Sequence, residues 1–157
     1  MILMVATITI FWLIIWKIPK QVTKLEMYVT SFFSLYLALL ADSILGGMYK
    51  LYSYFKPGVH YMDLVAGIGI YPAVNILFLN LFPYKSSLLK KYIYIFVWTI
   101  FSLLYEWFAA NHSDLFNYQG WRTWYSAPIY PLLFIILLLN LKWVRLLIKR
   151  GITCSDF

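Results

Sequence analysis

Charge is scarce in this chain: only 12% of its 157 residues are Asp, Glu, Lys or Arg, about half the share usual in soluble domains. With 63% of the residues hydrophobic, a chain this short cannot hide its apolar surface from water. An ordinary water-soluble domain is thereby excluded, and lipid must cover part of the surface. Cysteine is almost missing. Cys154 stands alone, which rules out an internal disulfide and a metal cluster held by thiolates. No Walker loop, Ser–His–Asp order or His-x-x-x-His pair occurs, and Gly67-Ile68-Gly69 lacks the strand and third glycine of a dinucleotide site. The sequence therefore names no catalytic residue, no metal and no cofactor. It also contains no repeat, low-complexity tract or linker, so residues 1–157 read as a single domain.

What is present is apolar sequence in five long runs, at about 2–18, 27–45, 62–82, 92–110 and 125–147. A helix needs roughly 20 residues to cross the hydrocarbon core. The first run is short, a deficit that snorkelling by Lys17 can make up. Pro72 lies in the third run, where neighbouring helices can satisfy the freed carbonyl. Pro128 and Pro131 open the fifth. A membrane strand would alternate apolar and polar residues over about ten positions. Residues 132–139 are instead apolar all round, as a lipid-embedded helix is. No strand is expected.

The net charge of +7 would suggest nucleic acid in a soluble domain. Here the basic residues fall between apolar runs, so they orient the chain in a bilayer and no nucleic-acid partner is implied. Residues 1–16 carry no basic residue ahead of their apolar stretch, unlike a cleaved signal peptide. Lys17, Lys20, Lys24, Lys85, Lys90, Lys91, Lys142, Arg145, Lys149 and Arg150 fall on one side of a five-span arrangement, and Lys50, Lys56 and Arg122 on the other. Ten against three obeys the positive-inside rule. A four- or six-span arrangement breaks it. The sequence thus predicts an all-α integral membrane bundle of five transmembrane helices, with the N-terminus outside and the C-terminus cytoplasmic.

The six acidic residues can be placed one by one. Asp42, Asp63, Glu106 and Asp114 fall toward the outer face, together with His60, His112 and Arg122. Glu106 sits in the apolar stretch Leu103-Leu104-Tyr105-Glu106-Trp107-Phe108, where a carboxylate costs roughly 2.5–3.5 kcal/mol on insertion scales. It must face protein, and Thr99, Ser102, Ala109 and Ala110 share its helical face. Arg122 or a tyrosine hydroxyl is the expected structural partner. Asp42 follows Ser34 and Ala38 and precedes Gly46 at four-residue spacing, a stripe that lets helices approach closely. Lying near a helix C-terminus, Asp42 needs a compensating group, for which Lys50, His60 and Arg122 are candidates. Asp63 suits a first-turn capping role. Asp42, His60, Asp63, Glu106 and Arg122 together form the candidate ligand- or ion-binding set. Trp107, Tyr118, Trp121, Trp124 and Tyr125 are expected as interface anchors, although the aromatic connection 111–126 would also serve as a lid over a polar pocket. Asn75 and Asn80 are expected to hydrogen-bond between helices.

Lys90-Lys91 opening a span, Glu106 near its outer end, and Tyr118-x-Gly120-Trp121-x-x-Trp124-Tyr125-Ser126 before the final helix form a recognisable pattern. With Asp42 and Asp63 it resembles a family of small multi-spanning membrane proteins of spore-forming Gram-positive bacteria, a group that carries no assigned activity. The likeness spans residues 40–140 loosely and 90–126 well. Arg122 stands where the family has Asn, so the resemblance lends it no role. What the resemblance implies is a bacterial plasma-membrane location.

Three function classes remain open from the sequence. The first is a non-enzymatic membrane protein whose polar groups pair among themselves. The second is a binding or transport module for a cation, proton or small solute, acting as a homo-oligomer or with a membrane partner. The third is an intramembrane enzyme using Glu106 as a neutral acid on a lipid-soluble substrate.

Overall fold

The computed structural model describes residues 1–54, 61–113 and 115–154, with the side chains of 62, 63 and 152–154 left out of account. His60, Lys56 and Asp114 lie outside the described residues. Five α-helices occur among them: α1 (Ile2–Lys17), α2 (Lys24–Asp42), α3 (Tyr61–Leu81), α4 (Leu88–His112) and α5 (Ser126–Cys154). The all-α bundle expected from the five apolar runs is the fold observed. Four stretches are long and apolar enough to cross a membrane: Lys24–Met48, Leu64–Leu81, Leu88–His112 and Thr123–Gly151. At 16 residues, α1 spans only about 24 Å, short of the roughly 30 Å of a hydrocarbon core.

Helix α2 begins where the sequence supplies a capping box. Thr23 Oγ1 accepts from the Glu26 amide at 3.3 Å, and Glu26 Oε2 accepts from the Thr23 amide at 2.8 Å. Glu26 also binds Arg145 Nε at 2.9 Å, tying the start of α2 to α5. The turn between α1 and α2 is held by Asn80 near the end of α3. Its Oδ1 accepts from the Gln21 and Val22 amides at 2.9 and 3.1 Å. These contacts gather Lys17–Lys24, the α3–α4 loop and Arg145 at one end of the bundle, called here the basic end. Asn75 bridges α3 to α2 by donating to Thr30 Oγ1 at 3.1 Å. Asn80 reaches α2 itself by donating to Met27 Sδ at 3.5 Å, so both asparagines expected to bond between helices do so.

Helix α3 packs against α1 and α2, while α2 and α4 both pack against α5. Gly69 makes the α1–α3 approach possible, since a Cβ there would fall 2.5 Å from Ile8 Cδ1. The α1 and α4 helices meet through the Thr7 and Tyr105 hydroxyls, 3.0 Å apart, and the Phe11–Phe101 ring pair. In the half toward the basic end the helices close on an aromatic block. Phe78, fully buried, stacks on Phe134 with centroids 4.5 Å apart and touches Tyr94 and Trp98 edgewise or tilted.

Two short strands depart from the sequence expectation. β1 (Tyr52–Tyr54) and β2 (Phe116–Tyr118) pair antiparallel, with Tyr52 opposite Tyr118 and Tyr54 opposite Phe116. They cross no membrane; they join the α2–α3 and α4–α5 connections. Each is aromatic–polar–aromatic, and the period of two puts all four aromatics on one face. A test for ten-residue membrane strands passes over three-residue strands in loops.

Candidate functional site

Above the aromatic block, at the end opposite the basic one, the bundle encloses a cavity of about 240 Å³. Small side chains on three helices leave the space: Ser34, Ala38 and Ala41 on α2, Ala66 and Gly67 on α3, and Ser102 on α4. The Ser34–Ala38–Asp42 stripe, expected to bring helices together, instead faces this void. Leu37, Ile70, Val74, Leu133 and Leu137 make most of its wall apolar. The aromatic faces of β1 and β2 cover it, since Tyr52, Tyr54, Phe116 and Tyr118 line the cavity while Ser53 and Asn117 do not. We call this paired segment the clasp.

Both inward carboxylates meet this cavity. Glu106 is 5% exposed. Its Oε1 accepts from Tyr118 Oη at 2.6 Å, Ser126 Oγ at 2.9 Å and Trp121 Nε1 at 3.3 Å; its Oε2 accepts from Tyr130 Oη at 2.6 Å. Every member of this shell can donate, Trp121 Nε1 only so, which suits a carboxylate, a group that only accepts. The inward face expected around Glu106 is observed, with Thr99 and Ala109 also buried. Arg122 is exposed and makes no ion pair among the described residues. Of the two partners expected for Glu106, the tyrosine hydroxyl is the one found, because Tyr118 and Tyr130 reach the carboxylate from inside the bundle.

Asp42 closes α2 where the helix widens into a π-turn over Ser43–Met48, a feature frequent at functional sites. Its carboxylate accepts from Tyr52 Oη at 2.6 Å, Tyr54 Oη at 3.1 Å and Tyr71 Oη at 3.4 Å. The Tyr54 and Tyr71 hydroxyls also bond each other. Lys50, one of the cations expected beside Asp42, is exposed. The π-turn brings Gly46 so close to the clasp that a Cβ there would sit 3.1 Å from the Tyr52 carbonyl oxygen. Leu51 O fastens the other strand by accepting from the Gln119 and Trp121 amides at 2.8 and 3.1 Å.

The clasp hydroxyls are hard to ionise. Burial, reinforced by the Asp42 carboxylate, pushes the Tyr52 hydroxyl well above the usual phenol range. Burial does the same for Tyr54, with Tyr71 and Asp42 adding to it. At Tyr118 burial acts first and the hydrogen bond to Glu106 second.

Of the five candidate residues, the structure brings Asp42 and Glu106 to one cavity and leaves Arg122 outside it. Asp63 falls in the first turns of α3, with its side chain beyond description, and His60 lies outside the described residues. Among the expected interface anchors, Trp107, Trp124 and Tyr125 are exposed. Tyr118 and Trp121 turn inward to hold Glu106, so the lid alternative describes them better than anchoring. Sequence reasoning missed Tyr52, Tyr54, Tyr71, Ser126 and Tyr130 as site residues. A signal existed for some: Tyr52 and Tyr54 alternate with serine, and Ser126 and Tyr130 share a helical face four residues apart.

Asn75 marks the deeper part of the cavity. It is 1% exposed and lines the wall. Its Nδ2 is used by Thr30, but its Oδ1 has no hydrogen-bond partner among the described residues.

These features define a class: a helical bundle with four stretches long and apolar enough to cross a membrane and a clasped, carboxylate-bearing cavity in one half. No protein-family model, no curated protein and no solved structure matches the chain.

Proposed function

We propose that this protein is a multi-pass membrane protein that binds a small, predominantly apolar solute in its clasped cavity. All five helices cross the bilayer in this reading, with α1 tilting little and Lys17 snorkelling. The basic end is cytoplasmic by the positive-inside rule, and the cavity opens toward the opposite face. A bacterial plasma membrane is the proposed location, supported by the resemblance of residues 90–126.

The observation that carries this reading is the cavity itself. Its volume of about 240 Å³ exceeds the roughly 150 Å³ that suffices to hold benzene. Apolar walls with a few convergent polar groups are the ordinary build of a ligand site. A purely structural role would fill this space, since a void forfeits packing. The enzyme reading uses Glu106 as a neutral acid facing a substrate, whereas four protein donors surround it here.

Benzyl alcohol is a suitable neutral probe. In detergent micelles its ring protons are expected to give nuclear Overhauser contacts to the Ala38 and Ala66 methyls. Ala38→Phe, which fills the space, should abolish those to the Ala66 methyl. Contacts confined to exposed residues, or unchanged in Ala38→Phe, would discard the binding role.

A further inference from the structure

Resting on that binding role, we infer that the cavity selects an alkylated organic cation, a quaternary or tertiary ammonium on an apolar body, with Glu106 as its counter-charge. Glu106 is buried and meets four neutral donors but no cation among the described residues. Buried charges are ordinarily paired, and attraction for an opposite charge is strong where water is excluded. The described residues leave that pairing to something else.

The manner in which Glu106 is held narrows the cation. A carboxylate has about four lone-pair sites; Tyr118, Ser126 and Trp121 crowd Oε1 while Tyr130 takes one site of Oε2, so one site is left open. A metal ion takes oxygens directly into its own shell and would have to strip these donors away. No group of three or more His, Cys, Asp or Glu suited to a metal occurs among the described residues. A primary ammonium carries three N–H donors and would find that one open site on Glu106. An alkylated ammonium donates no strong hydrogen bond when quaternary and one when tertiary, so it takes the charge and leaves the shell intact.

The walls suit the same ligand. Tyr52, Tyr54, Tyr71, Tyr105, Tyr130 and Phe116 line the cavity, and aromatic rings attract ammonium groups through their faces. The apolar portion beneath would take the ligand body. Asn75 contributes independently: its unpartnered Oδ1 adds a partial negative charge in the deeper part, where a neutral apolar ligand would gain nothing from it.

The test uses benzyltrimethylammonium and the full chain in maltoside micelles, by equilibrium dialysis. Saturable binding is expected, weakened at least tenfold by Glu106→Gln, while the benzyl alcohol contacts persist in that variant. If Glu106→Gln does not fold, Asp42→Asn makes the same comparison at the second carboxylate. Binding of benzyl alcohol without benzyltrimethylammonium, or an affinity for the cation that Glu106→Gln (or Asp42→Asn where Glu106→Gln does not fold) leaves unchanged, would overturn the cation inference alone. Binding of neither probe would overturn it together with the binding role. A free amine and a choline lipid head share this chemistry. Weaker binding of the probe in phosphatidylcholine nanodiscs than in micelles identifies the lipid head as the source, and equal binding identifies a free solute.

Discussion

At the scale of single residues, the partners of Glu106 decide how its charge is tolerated. Tyr130 Oη sits 2.6 Å from Oε2 and is the one donor to that oxygen among the described residues, whereas Arg122 lies exposed outside the shell. Hydrogen bonds to charged groups contribute about 1.5–3 kcal/mol. Tyr130→Phe is therefore expected to destabilise the protein by about that amount, and Arg122→Gln to stay within about 0.5 kcal/mol of wild type. Unfolding titrations in mixed micelles compare the two, and equal losses would mean that Arg122 shares the carboxylate. The inward position of Glu106 was legible because Thr99, Ser102 and Ala109 recur with it at helical spacing. The identity of its donors was not. Fourteen tyrosines offer too many hydroxyls to single one out, and attraction between opposite charges kept Arg122 open beside them. Desolvating a guanidinium costs more than desolvating a phenol, and here the phenols hold the site.

Among elements, the clasp is the one whose stability should follow pH. The hydroxyls of Tyr52, Tyr54 and Tyr118 titrate above their ordinary value in the folded protein. A group whose folded pKa is raised contributes stability that is intact below its unfolded value, about 10 for tyrosine. That contribution is lost as pH climbs beyond this point toward the folded value. Thermal midpoints are thus expected to hold steady from neutrality to about pH 10 and then fall. Tyr52→Phe and Tyr118→Phe should each flatten the fall, and an unaltered slope in both would detach the clasp from alkaline unfolding. The helices were readable from apolar runs, although α4 and α5 continue beyond them at Leu88–His112 and Ser126–Cys154. Lysines and arginines at the ends are good helix formers and simply extend the turn. The clasp was written in Tyr52-Ser53-Tyr54 and Phe116-Asn117-Tyr118. Nothing local reveals that segments more than sixty residues apart pair with each other.

For the whole molecule, the segregation of ten basic residues from three was the strongest global signal. It agrees with contacts that tie Gln21 to Asn80 and Glu26 to Arg145 at one end. In a Cys154→Ser background, Lys90→Cys and Arg122→Cys are expected to react with an impermeant maleimide from opposite faces of the membrane. Labelling of both from one face would dismantle the five-crossing arrangement. The cavity could not have been foreseen in this way. Small residues at positions 34, 38 and 41 mean either close approach or empty space, and only the placement of α3 and α4 decides between them. The stack of Phe78 on Phe134 makes the molecule a cup and not a tube. If solute reaches the cavity from the clasp side, as proposed, this floor makes occupancy report concentrations on that side alone and leaves it blind to conditions at the basic end.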